Sequence, residues 1–305
     1  MSGYFSTSSM AHQALSHRAV ALTYGQRALT IGTLHPRLFQ GTAQSTTHRG
    51  TPYRRLALTA RLFEAVFLGD REEADRALAF TAKRHQPVHG TIEEDAGPHH
   101  PAGSPYSAAD PELMWWTAGF TLDSVEHQYD TLVRRLTPGE RQRLFEDFVT
   151  WAELFGMPRH GAPEDYPAFR AGFDAFLTSD RAHLTDEGRQ VGRYVSGYDV
   201  PHPAPPPLRP LFSTVNLVVV GSLPSVVRDR FEMRWSVREE AAYQAVTLSS
   251  RLAHQRVPLL ARTPLLRGRS EEFYKVVARG ERAVLARGHA SMPGVSDREM
   301  GPLAG

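Results

Sequence analysis

The chain of 305 residues is long enough for one large or two small domains and for a substantial core, and 41% hydrophobic with 22% charged residues is globular rather than disordered usage. It has no cysteine, which excludes disulfides, iron–sulfur clusters, thiolate-ligated haem and cysteine nucleophiles and leaves fourteen histidines as the main candidate metal or haem ligands. A net charge of +2 gives no support to a nucleic-acid partner, and no apolar run reaches the roughly 18 residues of a membrane helix.

Residues 1–10 read as a loose Ser/Thr/Gly tail. Ala11 to Ile31 reads as mostly helical, and Pro36 suits the first turn of a new helix. No acid precedes Glu64, whereas Arg18, Arg27, Arg37, Arg49, Arg54, Arg55 and Arg61 do. Such a start is compatible with an organelle transit peptide, but it runs into helical sequence, so a basic surface or a basic wall around an anionic ligand is the preferred reading. With no secretory signal pattern, the expected compartment is the cytoplasm.

A helix is predicted from Pro52 to Leu68 on the spacing of Leu56, Leu62, Phe63, Val66 and Phe67. Gly69 suits its end and Asp70 the start of the next helix, which carries acids first and Lys83, Arg84 and His85 last, as the helix dipole favours. Pro87 must end it. Residues 90–107, rich in Gly, Pro and His, read as a long loop. Further helices are predicted over Ala108–Leu136 with an Asp-Pro start at Asp110 and Pro111, from a Thr137–Glu140 capping box to Phe155, over Pro163–Leu177, near Leu211–Gly221, over Ser236–Gln255 and near Ser270–Ala286. The proline run at 201–207 reads as a stiff connector or a surface strap, and 288–305 as a second loose tail. The expected class is all-α, with a single helical domain over 11–287 and no sheet.

Arg55 and Thr59 are four apart and share one helix face. His85 closes the following helix, with Val88, His89 and Gly90 next. A neutral imidazole can ligate haem iron, a guanidinium fork can hold a propionate, and a threonine can hydrogen-bond a bound ligand. The same spacing also fits a dipole-stabilised helix-end histidine and a solvated arginine. His35 reads as a buried, hydrogen-bonded histidine, and the adjacent His99 and His100 as solvated loop residues. Trp115, Trp116, Phe120 and Trp151 read as core that can also wall an apolar cavity.

Leu34-His35-Pro36, Arg55-Leu56-Ala57-Leu58-Thr59, Phe67-Leu68-Gly69-Asp70 and His85-Gln86-Pro87-Val88-His89-Gly90, followed by Tyr106, Ala108, Asp110, Pro111, Glu112, Leu113, Trp116 and Asp123-Ser124, resemble the MpaB-like/latex clearing protein (rubber oxygenase) family in order and spacing. The resemblance spans about residues 20–255. It implies a globin-like helical core and a b-type haem. The iron would be held by His85, with Arg55 at a propionate or in the distal network and Thr59 as a hydrogen-bonding residue. Arg228, in a later segment that also resembles the family, is a further candidate for a propionate or else a surface arginine. Where latex clearing protein carries a lysine that caps the iron, this chain has Leu58, so the distal position is expected to be open. His89 replaces an arginine, and Ala118 falls where many members have a histidine.

The resemblance thus implies a haem-dependent oxygenase acting on an apolar small molecule with dioxygen or peroxide. Two alternatives stay open. His85 and His89 with Glu93, Glu94 or Asp95 could form a non-haem iron site, although Pro87 lies between the histidines. Alternatively the chain is a helical binding or scaffold protein that keeps the fold without haem.

Overall fold

The computed structural model describes residues 3–44, 51–198, 203–256, 263, 266–287 and 292. In chain order the helices are α1 (Met10–Leu15), α2 (Arg18–Ala21), α3 (Tyr24–Gly32), α4 (Pro36–Gln44), α5 (Pro52–Leu68) and α6 (Arg71–His85). A two-stranded antiparallel ribbon follows, β1 (His89–Thr91) with β2 (Pro105–Ser107). Then come α7 (Pro111–Leu132), α8 (Pro138–Leu154), α9 (Tyr166–Thr178), α10 (Asp186–Ser196), α11 (Arg209–Gly221), α12 (Ser225–Arg230), α13 (Val237–Arg256) and α14 (Glu271–Leu285). The expected all-α class holds, with the ribbon as an addition.

The predicted caps form. Asp70 accepts from the Glu73 N–H at 2.8 Å and Asp110 from Glu112 at 2.9 Å. Thr137 and Glu140 close a reciprocal capping box. Gly69 ends α5 in an extended conformation, and Gly197 ends α10 at a φ of 73° that favours glycine.

The mostly helical stretch expected over Ala11–Ile31 divides into α1, α2 and α3. Its first break lies where residues 16–18 pair with 266–268: Arg18 N–H donates to the Leu266 carbonyl at 2.9 Å and Gly268 N–H to Ser16 at 3.1 Å. The loop expected over 90–107 instead begins and ends in the ribbon, a tertiary pairing that neither short segment announces alone. No helix was expected over 186–196, yet Thr185 caps one there by accepting from Gly188 at 3.1 Å.

The expected N-terminal tail is packed from its third residue. Phe5 is buried, with its ring 4.9 Å from that of Phe67, and Tyr4 donates to Asp75 at 2.7 Å. Of the expected C-terminal tail, only buried Met292 is described. Of the proline run, 203–207 are described: Ala204 is buried and the Pro203 carbonyl lies against Gly280 of α14.

Two apolar clusters meet at α5. Phe67, Phe148, Trp151, Trp115, Phe145 and Phe169 belong to the larger one. Tyr53, Leu56, Tyr194, Val219, Phe273 and Tyr274 belong to the second, which binds α14 to α5, α10 and α11. Polar clips reinforce both. Arg27 of α3, 1% exposed, meets Asp123 of α7 at 2.5 Å, Ser124 Oγ at 3.0 Å and the Ser222 carbonyl after α11 at 3.1 Å. Arg170 of α9 reaches the other Asp123 oxygen at 2.5 Å. Burial alone would raise the Asp123 pKa, but the two guanidinium charges hold it below the ordinary value.

Glu281 of α14 works oppositely. It accepts from the Tyr53 N–H at 3.2 Å and the Tyr194 hydroxyl at 3.0 Å, and burial pushes it from 4.5 up to about 8.

Two predictions follow from this core. Arg27→Met leaves Asp123 buried with one partner and is expected to cost about 3 kcal/mol in chemical denaturation. The Glu281 proton stabilises the fold fully below pH 4.5, and that contribution is lost as pH rises through about 8. Glu281→Gln, which keeps an acceptor and cannot ionise, should flatten the decline in melting temperature over that window.

Candidate ligand cavity

The α5–α6 corner brings Arg55, Thr59 and His85 to one cavity of about 360 Å³. α5 is a regular helix, so Arg55 and Thr59 lie one turn apart with Leu56, Leu62 and Phe63 on the same wall. α6 returns from the Gly69-Asp70 corner and ends at His85, a turn beyond Thr81. Leu38 and Thr42 of α4, Met114, Thr117 and Phe120 of α7, Trp151 and Phe155 of α8, and Tyr24 and Leu29 of α3 complete much of the wall. Apolar side chains predominate, as in small-molecule sites.

His85 is exposed where it lines the cavity, and among the described residues its ring has no hydrogen-bond partner. Burial of the ring by the surrounding protein, and then the Arg55 charge, hold its pKa below the ordinary value. It is therefore neutral at pH 7, the form in which imidazole donates to a metal. Arg55 donates to the Thr42 carbonyl, and burial pushes its guanidinium down to about 10. It still carries its proton at neutral pH.

Arg37, a second basic wall residue, ties α4 to the ribbon through the Pro105 carbonyl at 2.9 Å and to Asp110 at 2.6 Å. Tyr106 of β2 packs across Gly41 and Gly90: a Cβ on Gly41 would lie 3.1 Å from its ring and one on Gly90 2.7 Å from its hydroxyl.

Other sequence candidates fall elsewhere. His89 begins β1, is exposed, and does not line the cavity, so it does not share a helix with His85. Glu93, Glu94 and Asp95 are exposed, and Asp95 accepts from the Ala102 N–H at 2.7 Å. Among the described residues no group of three or more His, Asp or Glu could hold a metal ion, so the alternative His85–His89 non-haem iron site is not assembled there. Pro87 breaks the helix between the two histidines.

Arg228 is also away from the cavity. Its guanidinium caps the end of α11 through the Gly221 carbonyl at 3.2 Å and the Leu223 carbonyl at 2.6 Å, and lies over the Trp235 ring. Leu58 and Ala118, the two departures in the family motifs, do not line the cavity. His35 is core, as expected: it is 1% exposed and stacks on Phe176. His100 differs from expectation. It is 4% exposed and bonded to the Arg181 carbonyl at 3.1 Å, whereas His99 is exposed and pairs with Asp180.

Sequence reasoning missed Tyr24 and Glu64 beside this cavity. Tyr24 lines it, and its hydroxyl donates to buried Glu64 at 3.4 Å. The available signal was an acid inside the apolar run Leu62-Phe63-Glu64-Ala65-Val66.

Taken together, these features define an all-α protein with an apolar ligand cavity, one neutral histidine donor and basic side chains at its wall. The profile of the family described as ER-bound oxygenase mpaB/B'/rubber oxygenase, catalytic domain, matches residues 12–252. The chain belongs to this family. No curated protein and no solved structure gives a match. Among the described residues no helix is long and apolar enough to cross a membrane.

The electrostatics can be read directly. Arg55→Leu removes a neighbouring positive charge, so the His85 titration midpoint followed by NMR should move up toward the ordinary histidine value. An unmoved midpoint would show that Arg55 does not act on the ring.

Proposed function

We propose that the protein is a haem b-dependent oxygenase acting on an apolar small molecule. The observation that carries this reading is the convergence of His85, Arg55 and Thr59, from two successive helices, on one apolar-walled cavity. The donor set fits the group: a neutral imidazole for iron and the Arg55 guanidinium for a propionate carboxylate.

His85, at the end of α6, would hold the iron through a ring nitrogen. Arg55 would hold a propionate carboxylate, and it keeps its charge at neutral pH. Thr59, one turn along, hydrogen-bonds a polar atom of a bound ligand. Phe63, Phe120, Trp151 and Phe155 exclude water and orient an apolar substrate. The haem, when bound, supplies the activation of dioxygen or peroxide.

The family membership supports an oxygenase-type role.

Expression with ample iron, followed by a visible spectrum and a pyridine haemochrome assay, tests this reading. A Soret band with a b-type haemochrome is expected, and His85→Ala should abolish most haem content while the far-ultraviolet circular dichroism is retained. Absence of a Soret band after haem titration would defeat the haem reading, and unchanged haem content in His85→Ala would defeat the assignment of the ligand.

A further inference from the structure

Glu64 is fully buried on α5, and among the described residues no basic side chain lies within ion-pair distance of it. Arg269, the cation that acts on it electrostatically, is engaged by Glu73 of α6 at 2.5 Å near the surface. The Glu64 oxygens accept from the Ser270 N–H at 3.0 and 3.1 Å, from Ser270 Oγ at 2.5 Å and from the Tyr24 hydroxyl at 3.4 Å. Clipping α14 to α5 would require only a neutral amide acceptor, and burying a carboxyl without a cation is costly. Tyr24 in turn stands on the cavity wall. Hydroxyl, carboxyl and hydroxyl are therefore hydrogen-bonded in sequence, with Ser270 fully buried and Tyr24 at the cavity wall.

We propose that Glu64 stores a proton that it exchanges with the cavity through Tyr24, with Ser270 holding the carboxylate form. In a transfer toward the cavity, the Tyr24 O–H bond breaks as its proton passes to a basic atom held there. The Glu64 O–H bond breaks as its proton re-forms the tyrosine hydroxyl. The carboxylate left behind is held by the Ser270 N–H and Oγ and takes its proton back along the same route, and no electrons move.

The groups that face Glu64 are Tyr24 from α3, Tyr274 from α14 and Arg269 before α14, with Glu73 beyond it on α6. Burial pushes the Glu64 carboxyl from 4.5 up to about 7, against the Ser270 hydrogen bonds and the Arg269 charge, so it exchanges its proton near neutrality. The use of the path by a haem rests on the oxidative reading above, but its existence does not.

Infrared difference spectra of the purified chain across neutral pH test the path without any cofactor. The wild type should lose the carbonyl stretch of a protonated carboxyl with a midpoint near 7. Glu64→Gln should lack that band. Tyr24→Phe, which deletes a hydrogen bond to the charged form, should keep the band and raise its midpoint by about half a unit or more. In haem-loaded protein the reduction potential should bend with pH at the same midpoint, and the bend should vanish in Glu64→Gln and move with the band in Tyr24→Phe.

A wild type with no such titrating carboxyl overturns the proposal. So does a midpoint unmoved by Tyr24→Phe, which would leave Glu64 a clip for α14, and so does a bend that stays at the wild-type midpoint in Tyr24→Phe. If the chain takes no haem, the oxidative reading falls and the infrared result alone decides the path.

Discussion

The ion pair between Arg27 and Asp123 is the constraint around which the helices are set. Both side chains are almost wholly buried, and a buried charge is tolerated only when its partners are close and its remaining hydrogen-bonding positions are filled. Arg27 meets this condition by drawing α3, α7 and the end of α11 together, while Arg170 brings α9 to the same carboxylate. The geometry that satisfies the charge also fixes the rotation of α3. With Arg27 turned toward α7, Tyr24, Gly25 and Leu29 are left to line the cavity.

The same core handles its buried acids in two ways. Asp123 is held ionised by two guanidinium groups, whereas Glu64 and Glu281 lack a close cation among the described residues and are pushed toward their neutral forms. The first arrangement makes α3, α7 and α9 insensitive to pH near neutrality. The second attaches α14 through groups that lose their protons from neutrality upward. The cavity lies between these two regimes, because α3 and α7 wall it from one cluster and Tyr274 of α14 from the other.

α5 joins the fold to the chemistry. Its N-terminal half packs in the smaller cluster and its C-terminal half in the larger, so its rotation is determined from both ends. That rotation turns Arg55 and Thr59 into the space that α6 closes with His85. The basic, acid-free start of the chain is resolved in similar terms. Arg27 is spent on the core, while Arg37 and Arg55 reach the cavity wall.

Much of this was legible in the sequence because it depends on local rules. The α5 stripe, the Asp70, Asp110 and Thr137 caps, and the stop at Pro87 rest on residues within one or two turns of each other, and they also place Arg55, Thr59 and His85. The family motifs carried the same three residues. What only the tertiary structure decided are matters of long-range pairing. Residues 16–18 break a helical stretch to pair with 266–268, and β1 finds β2 across a loop. Arg228 turns to the carbonyls at the end of α11 rather than to the cavity, and Glu64 meets a serine more than two hundred residues away. Helical periodicity says which face a residue takes, but only the packed chain supplies the partner that its charge or hydrogen bond requires.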